Sequence, residues 1–298
     1  MAKEIVAGMD IPGVPPRVNE LRRFVRVFTS RRVVLFGMVV IVLFLLTAAF
    51  APWLAPYDPY EQHLDQSLDL PSRTHLLGTD TLGRDTLSRV IFGSRYSLMV
   101  GVIALGIAAA VGMVLGLVAG YFGGWAQAAI MRLMDSLMAF PMILLAMIVA
   151  GMLGPGLRNV MVALGIALVP GYARMMCGQA LSVKENDYIL AEHSIGASHI
   201  RIMLNHIFPN CLPPLIVMIT MMMGTTMLAE AGLSFLGIGI EIPNAAWGGM
   251  IAEGYKYVID APVLSIAPGA ALMLVVFSFN MVGDGLRDAL DPRLRGTI

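Results

Sequence analysis

Long apolar runs alternate along the chain with short polar stretches, and each run is too continuous to be the one-sided stripe of a soluble helix. The first, Val33 to Ala51, holds nineteen residues without a charge. At the helical rise this is about 28 Å, close to the hydrocarbon thickness of a bilayer. Further runs cover residues 97–120, 126–153, 159–182, 210–235 and 263–282. The pattern predicts an all-α membrane protein with six transmembrane helices. Pro141, Pro170 and Pro268 fall inside three of the runs. Each withholds a backbone N–H there and predicts a kink.

Positive charge orients the spans. Lys3, Arg17, Arg22, Arg23, Arg26, Arg31 and Arg32 all precede the first run, a density expected to stay in the cytoplasm. Ala49-Phe50-Ala51 has the form of a signal-peptidase site. The leader and its apolar core are both too long for a signal peptide, so the run is read as a retained span. Alternate threading from an inside N-terminus leaves 14 of the 20 Lys and Arg inside and predicts an N-in, C-in topology. The expected organisation is a cytoplasmic segment 1–32, a first span 33–51, an extracytoplasmic loop 52–96, a five-helix core 97–284 that carries a polar segment 183–209, and a cytoplasmic tail 285–298.

Composition narrows the function. The chain is 57% hydrophobic and 13% charged, against about 25% charged in soluble domains, which excludes a soluble enzyme. Twenty Lys and Arg cancel twenty Asp and Glu, so no global field gathers nucleic acid. Cys177 and Cys211 lack CxxC or Cys/His spacing, and the five histidines show no HExxH or i, i+4 ligand pair. Neither a disulfide scaffold nor a metal site is expected.

Two polar stretches and a few buried charges remain. In the outer loop, Asp80 with Arg84 and Asp85 with Arg89 are acid-before-base pairs at i, i+4, read as a solvated, salt-bridged helix with a docking or gating element as the alternative. Between the fourth and fifth runs, Lys184, Glu185, Asn186, Asp187, Glu192, His193, His199, Arg201 and His206 interrupt the apolar chain, and Gly196 divides the segment into two short helices. A helix-Gly-helix knob suits a protein partner, since Ala191 and Gly196 permit close approach. An interfacial helix on lipid headgroups is the competing reading. Within the spans, Arg132 and Asp135 lie at i, i+3 and are expected to pair. Glu230 has no local partner, and with Arg132, Asp135 and Asn280 it forms the set of gating candidates. The many methionines of the fifth run are read as packing, with a soft substrate wall as the alternative.

Asp187-Tyr-Ile-Leu-Ala-Glu-His-Ser-Ile-Gly-Ala-Ser-His-Ile-Arg201, followed by His206-Ile-Phe-Pro-Asn210, resembles the EAA loop of binding-protein-dependent ABC importer permeases. Three more runs resemble their dipeptide, oligopeptide and nickel subfamily: Leu77-Gly-Thr-Asp-Thr-Leu-Gly-Arg-Asp85, Leu233-Ser-Phe-Leu-Gly-Ile-Gly239 and Gly283-Asp-Gly-Leu-Arg-Asp-Ala-Leu-Asp-Pro292. The EAA triplet reads Leu190-Ala191-Glu192, without its leading acid. The resemblance implies a type I ABC importer permease fold in a bacterial inner membrane. It also implies a coupling helix seated on an ATP-binding subunit through Asp187, Leu190, Ala191, Glu192, Gly196, Ala197, Arg201 and Pro209, and an outer-loop motif of Gly78, Asp80, Gly83, Arg84 and Asp85. The implied partners are a second permease, two ATP-binding subunits that hold ATP and Mg, and an extracytoplasmic substrate-binding protein. The implied cargo is short peptides, with nickel or glutathione-like cargo as the alternative.

The residues themselves agree that this chain is not the ATPase, because none of its three lysines follows a glycine and GxxxxGK[ST] is therefore absent. Two other classes compete. A secondary transporter calls for ionisable residues near the midplane or an internal repeat, and Glu230 is its main support. An intramembrane aspartyl protease would use Asp135 and Asp284 as a proton-sharing pair, against which stand Arg132 beside Asp135 and the lack of a GxGD setting at Asp284.

Overall fold

The computed structural model describes residues 20–29, 31–241 and 243–290, with side chains from residue 25 onward. Lys3, Arg17, Arg293, Arg295 and the end of the tail motif lie outside the described residues. The chain forms α1 (Glu20–Thr29), α2 (Arg32–Leu54), α3 (Thr86–Phe122), α4 (Gly124–Met138), α5 (Met142–Leu153), α6 (Leu157–Lys184), α7 (Asp187–Ser194), α8 (His199–Arg201), α9 (Phe208–Phe235), α10 (Trp247–Tyr255) and α11 (Val263–Leu290). A π-helical stretch, Ile202–Ile207, joins α8 to α9 in one continuous helix.

Five helices are long and apolar enough to cross a membrane, and the bent pair α4–α5 makes a sixth crossing if it counts as one. The chain needs that crossing, because α3 and α6 start at the same end of the bundle and α4–α5 must carry it back. The single span expected over 126–153 is instead broken by 91° between α4 and α5. Pro141 sits at the break with φ −53° and ψ 135°: it lacks the donor to continue α4 and biases Phe140 away from helical geometry. The second span also begins earlier than expected. Asp85 accepts from the backbone N–H of Ser88 and caps α3 at Thr86, so the loop expected to run to residue 96 ends at residue 85. Pro170 and Pro268 remain inside α6 and α11.

The most extensive helix pair is α3 with α6. Gly112, Gly116 and Gly120 line one stripe of α3, and a Cβ at any of them would collide with the backbone oxygen of Val169, Ala173 or Cys177. Such spacing lets two backbones touch, which matters in lipid because apolar surface alone gives helices no reason to associate.

The two ends of the bundle differ. At one, the N–H of Gly156 bonds to the carbonyl of Gly239 and the Trp247 indole N–H to the carbonyl of Val90, so the starts of α3, α6 and α10 and the turn after α9 meet there. At the other, Arg31 pairs with Asp288 at 2.9 Å, and Tyr121 meets His199. Both described termini therefore share an end with the polar segment between α6 and α9.

Candidate functional site

Asp187 opens α7, which closes at Ile195 through a hydrogen bond to the Ala191 carbonyl; Gly196 follows with φ +76°. This left-handed turn is the usual residue type and position for a helix stop. The Ala197 N–H returns to the Glu192 carbonyl, and Ser198 then caps the next helix by accepting from the Arg201 N–H. The result is a tight helix-turn-helix in which Asp187, Leu190, Ala191, Ile195, Gly196, Ile200, Arg201 and Pro209 are exposed, while Glu192 and Ala197 are half-buried. Ile195 is 74% exposed and Ile200 66%, an apolar tip on a polar base.

Ile189, Ile202 and Ile207 are the roots of this knob, fully buried against Tyr121, Met176 and Ala180. In a regular α-helix, positions 202 and 207 would point about 140° apart. The wider π-turn brings both to the bundle, and Pro209, which lacks an N–H, follows directly. Tyr121 at the end of α3 is the polar anchor. Its hydroxyl lies 2.6 Å from His199 Nδ1, its ring stacks with His193, and its carbonyl accepts from Lys184 Nζ at 2.8 Å. His206 Nε2 faces Glu192 Oε1 at 3.4 Å. The knob is thus joined to α3 as well as to α6 and α9, the helices that carry it. Sequence reasoning passed over Tyr121, which lies 78 positions from His199 and offers no local pattern.

The outer-loop motif is not a solvated helix. Asp80 and Arg84 do pair, with Arg84 Nε donating to Asp80 Oδ2 at 2.6 Å, but in a turn that is buried: Arg84 is 1% exposed. Arg89 reaches Asp80 at 3.3 Å instead of Asp85. Asp85 spends its carboxylate on the α3 cap and on His75, 2.9 Å away. Glu253 of α10 faces Arg84 at 3.5 Å and also accepts from the Thr81 hydroxyl. Gly78 and Gly83 both have positive φ, and a Cβ at either would strike the carbonyl of Asp69 or His63. Four charges that look like a surface pattern are a buried clamp between the loop, α3 and α10. Burial of this kind requires that each charge be paired.

The intramembrane candidates scatter. Arg132 does not pair with Asp135; Arg174 of α6 does, across α4 and α6. The correction is geometric, since Arg132 and Asp135 are both exposed but an i, i+3 spacing sets only proximity and the neighbouring helix offers a better-aimed guanidinium. Glu230 is 1% exposed and accepts from the Ser234 hydroxyl, whose oxygen also accepts from the Ile240 N–H. It therefore has a local partner and closes the turn that ends α9. Asn280 is half-buried on α11.

The family described as "Binding-protein-dependent transport system inner membrane component" matches residues 112–296. The chain belongs to this family. The "N-terminal TM domain of oligopeptide transport permease C" matches residues 20–71. The permease is 39% identical to the dipeptide transport system permease protein DppC of Alkalihalophilus pseudofirmus, over 95% of each chain. It is 44% identical to the probable D,D-dipeptide transport system permease protein DdpC of Escherichia coli, over 87% of each. It is 42% identical to a glutathione transport system permease protein, GsiD of Escherichia coli O6:K15:H31, over 92% of this chain and 90% of that one. The permease is a multi-pass inner-membrane subunit of an ABC importer.

Proposed function

We propose that this permease carries short peptides inward, on a path shared with a second homologous permease, using ATP hydrolysed by two partner subunits. Segment 183–209 is the lever. Its apolar tip, Leu190, Ile195 and Ile200 around the left-handed Gly196, sits in a groove of an ATP-binding subunit, with Asp187, Glu192 and Arg201 fixing orientation. Closure of the two ATPases pushes the tip, and the buried roots Ile189 and Ile202 with the Tyr121–His199 contact pass the movement to α3 and α6. The chain itself performs no bond chemistry, and ATP and Mg belong to the partners. An extracytoplasmic binding protein delivers cargo to the end that bears the clamped loop, and the lever and both termini are cytoplasmic.

The exposed apolar knob rooted in the bundle is the observation that carries this reading, because exposed apolar surface at a polar, water-facing end marks a protein interface. Peptide cargo is supported by the dipeptide permeases among the relatives. Glutathione, itself a tripeptide, is supported by the glutathione permeases among the relatives and is the second reading.

The test uses the whole importer in proteoliposomes. Replacing Ala191 or Gly196 by Trp is expected to abolish copurification with the ATP-binding subunits and ATP-driven uptake of a labelled dipeptide, while membrane insertion is retained. Unchanged uptake in both variants would sink the lever. Offering dipeptide, glutathione and nickel to the binding protein in separate titrations decides the cargo.

A further inference from the structure

A cavity of about 720 Å³ opens between α6, α9 and α11 in the half of the bundle nearest the lever, within the size range of roughly 300–1,000 Å³ typical of small-molecule sites. Its wall is formed in large part by the side chains of Met175, Met218, Met221 and Met222, with Gln179, Asn210 and Arg287 as polar members and no carboxylate in the lining; Asn210 already donates to the His206 carbonyl. Among the described residues Arg287 has no ion-pair partner and Gln179 no hydrogen bond. Arg174, the residue before Met175 of this lining, pairs with Asp135 of α4, and both side chains are 54% exposed. Arg174 lies about 24 Å along α6 from Arg158, still within roughly 30 Å of hydrocarbon counted from that end. A pair at that level turned toward lipid tails would be costly, and such charges usually face water or protein. Gly178, between Arg174 and Gln179, is exposed, and a Cβ there meets nothing within 4 Å.

Resting on the transport reading above, we infer that this open face of α4, α6, α9 and α11 is the chain's own wall of the translocation path, wetted in at least one state of the cycle and suited to a short peptide with a free carboxylate. The chemistry of the wall matches such a guest. Thioethers are flexible and polarisable and accept side chains of many shapes. The Gln179 amide, without a partner among the described residues, can bond a peptide group. The Arg287 guanidinium, without an ion-pair partner among the described residues, offers two parallel donors to a carboxylate at the inner mouth. The wall is soft where cargo varies and specific where every peptide is alike.

The experiment uses the full importer with Cys177 and Cys211 replaced by alanine. Cysteine is introduced at Met222 in the wall or at Met273, 68% exposed on the outward side of α11, and a charged, membrane-impermeant methanethiosulfonate is applied with and without ATP. Expected are labelling of Met222→Cys in at least one nucleotide state with loss of that variant's dipeptide uptake, and no labelling of Met273→Cys. Separately, Arg287→Gln should lower dipeptide uptake by about tenfold or more, the worth of one charge-assisted hydrogen bond, and Arg287→Lys should restore most of it. Met222→Cys that stays unlabelled in every state, or is labelled without slowing uptake, overturns the wall. Equal uptake by Arg287→Gln and the parent overturns the carboxylate contact. If the parent complex takes up no dipeptide, the peptide reading fails instead, and the contrast in labelling between the two positions still decides whether this face is wetted.

Discussion

Glycine shows how the same residue type does different work in this chain. Gly196 and Gly83 both occupy positive φ, at +76° and +71°. Around Gly196 a Cβ would meet nothing within 4 Å, whereas at Gly83 it would overlap the His63 carbonyl. Gly196→Ala therefore pays only the backbone term of about 1–2 kcal/mol and should still give folded protein. Gly83→Ala adds a clash with backbone that cannot swing aside. Thermal unfolding in detergent should show a small shift for the first and a large loss of folded protein for the second; equal behaviour would contradict the packing of the loop. Asp80 is the second test at this scale. It faces both Arg84 and Arg89 with all three buried, so Asp80→Asn leaves two guanidinium groups underpaired and should destabilise by about 3 kcal/mol or more. Arg73→Gln, at an exposed position of the same loop, should be nearly neutral by the same measurement.

Among the elements, the pairing of α3 with α6 is the route by which the proposed lever would act on the bundle, because its anchor, Tyr121, ends α3 and its N-terminal stem is α6. Gly116→Leu would force these helices apart against the backbone of Ala173, at about 3 kcal/mol or more for overpacking. Gly106→Leu, on an exposed face of α3 with nothing within 4 Å of its Cβ, should be tolerated. Folded yield after extraction distinguishes them, and loss at both positions would show that leucine alone, not the α3–α6 contact, is the cause. The spacing of Gly112, Gly116 and Gly120 stands in the sequence, but nothing local says which helix it meets. The Asp135–Arg174 pair has the same origin. Two residues 39 positions apart share no periodicity, and the helical neighbour Arg132 was the only partner a one-dimensional reading could offer.

For the whole molecule, the segregation of its ends makes a topological prediction. The Arg31–Asp288 pair and the Tyr121–His199 contact gather at one end, and the clamped loop with α10 at the other. In intact cells, a cysteine at exposed Ser194 should react with an impermeant thiol reagent only after the membrane is opened, and one at exposed Gln62 should react from outside. Labelling at Ser194 from outside would reverse the orientation and overturn the proposed contact of segment 183–209 with an ATP-binding subunit.

Hydropathy by itself determined that this chain lives in a bilayer and roughly where its long apolar helices lie, because hydrocarbon admits only such helices and that demand is written residue by residue. The helix-Gly-helix knob was legible for a similar reason: a left-handed turn and a change from apolar to polar composition are local. Tertiary structure alone decided that the outer acids and bases are a buried clamp, that Asp135 turns to Arg174, that Glu230 closes a turn with Ser234, and that the third crossing is bent. Those outcomes depend on which distant group arrives first at bonding distance, and distance through space is the quantity a linear pattern does not contain.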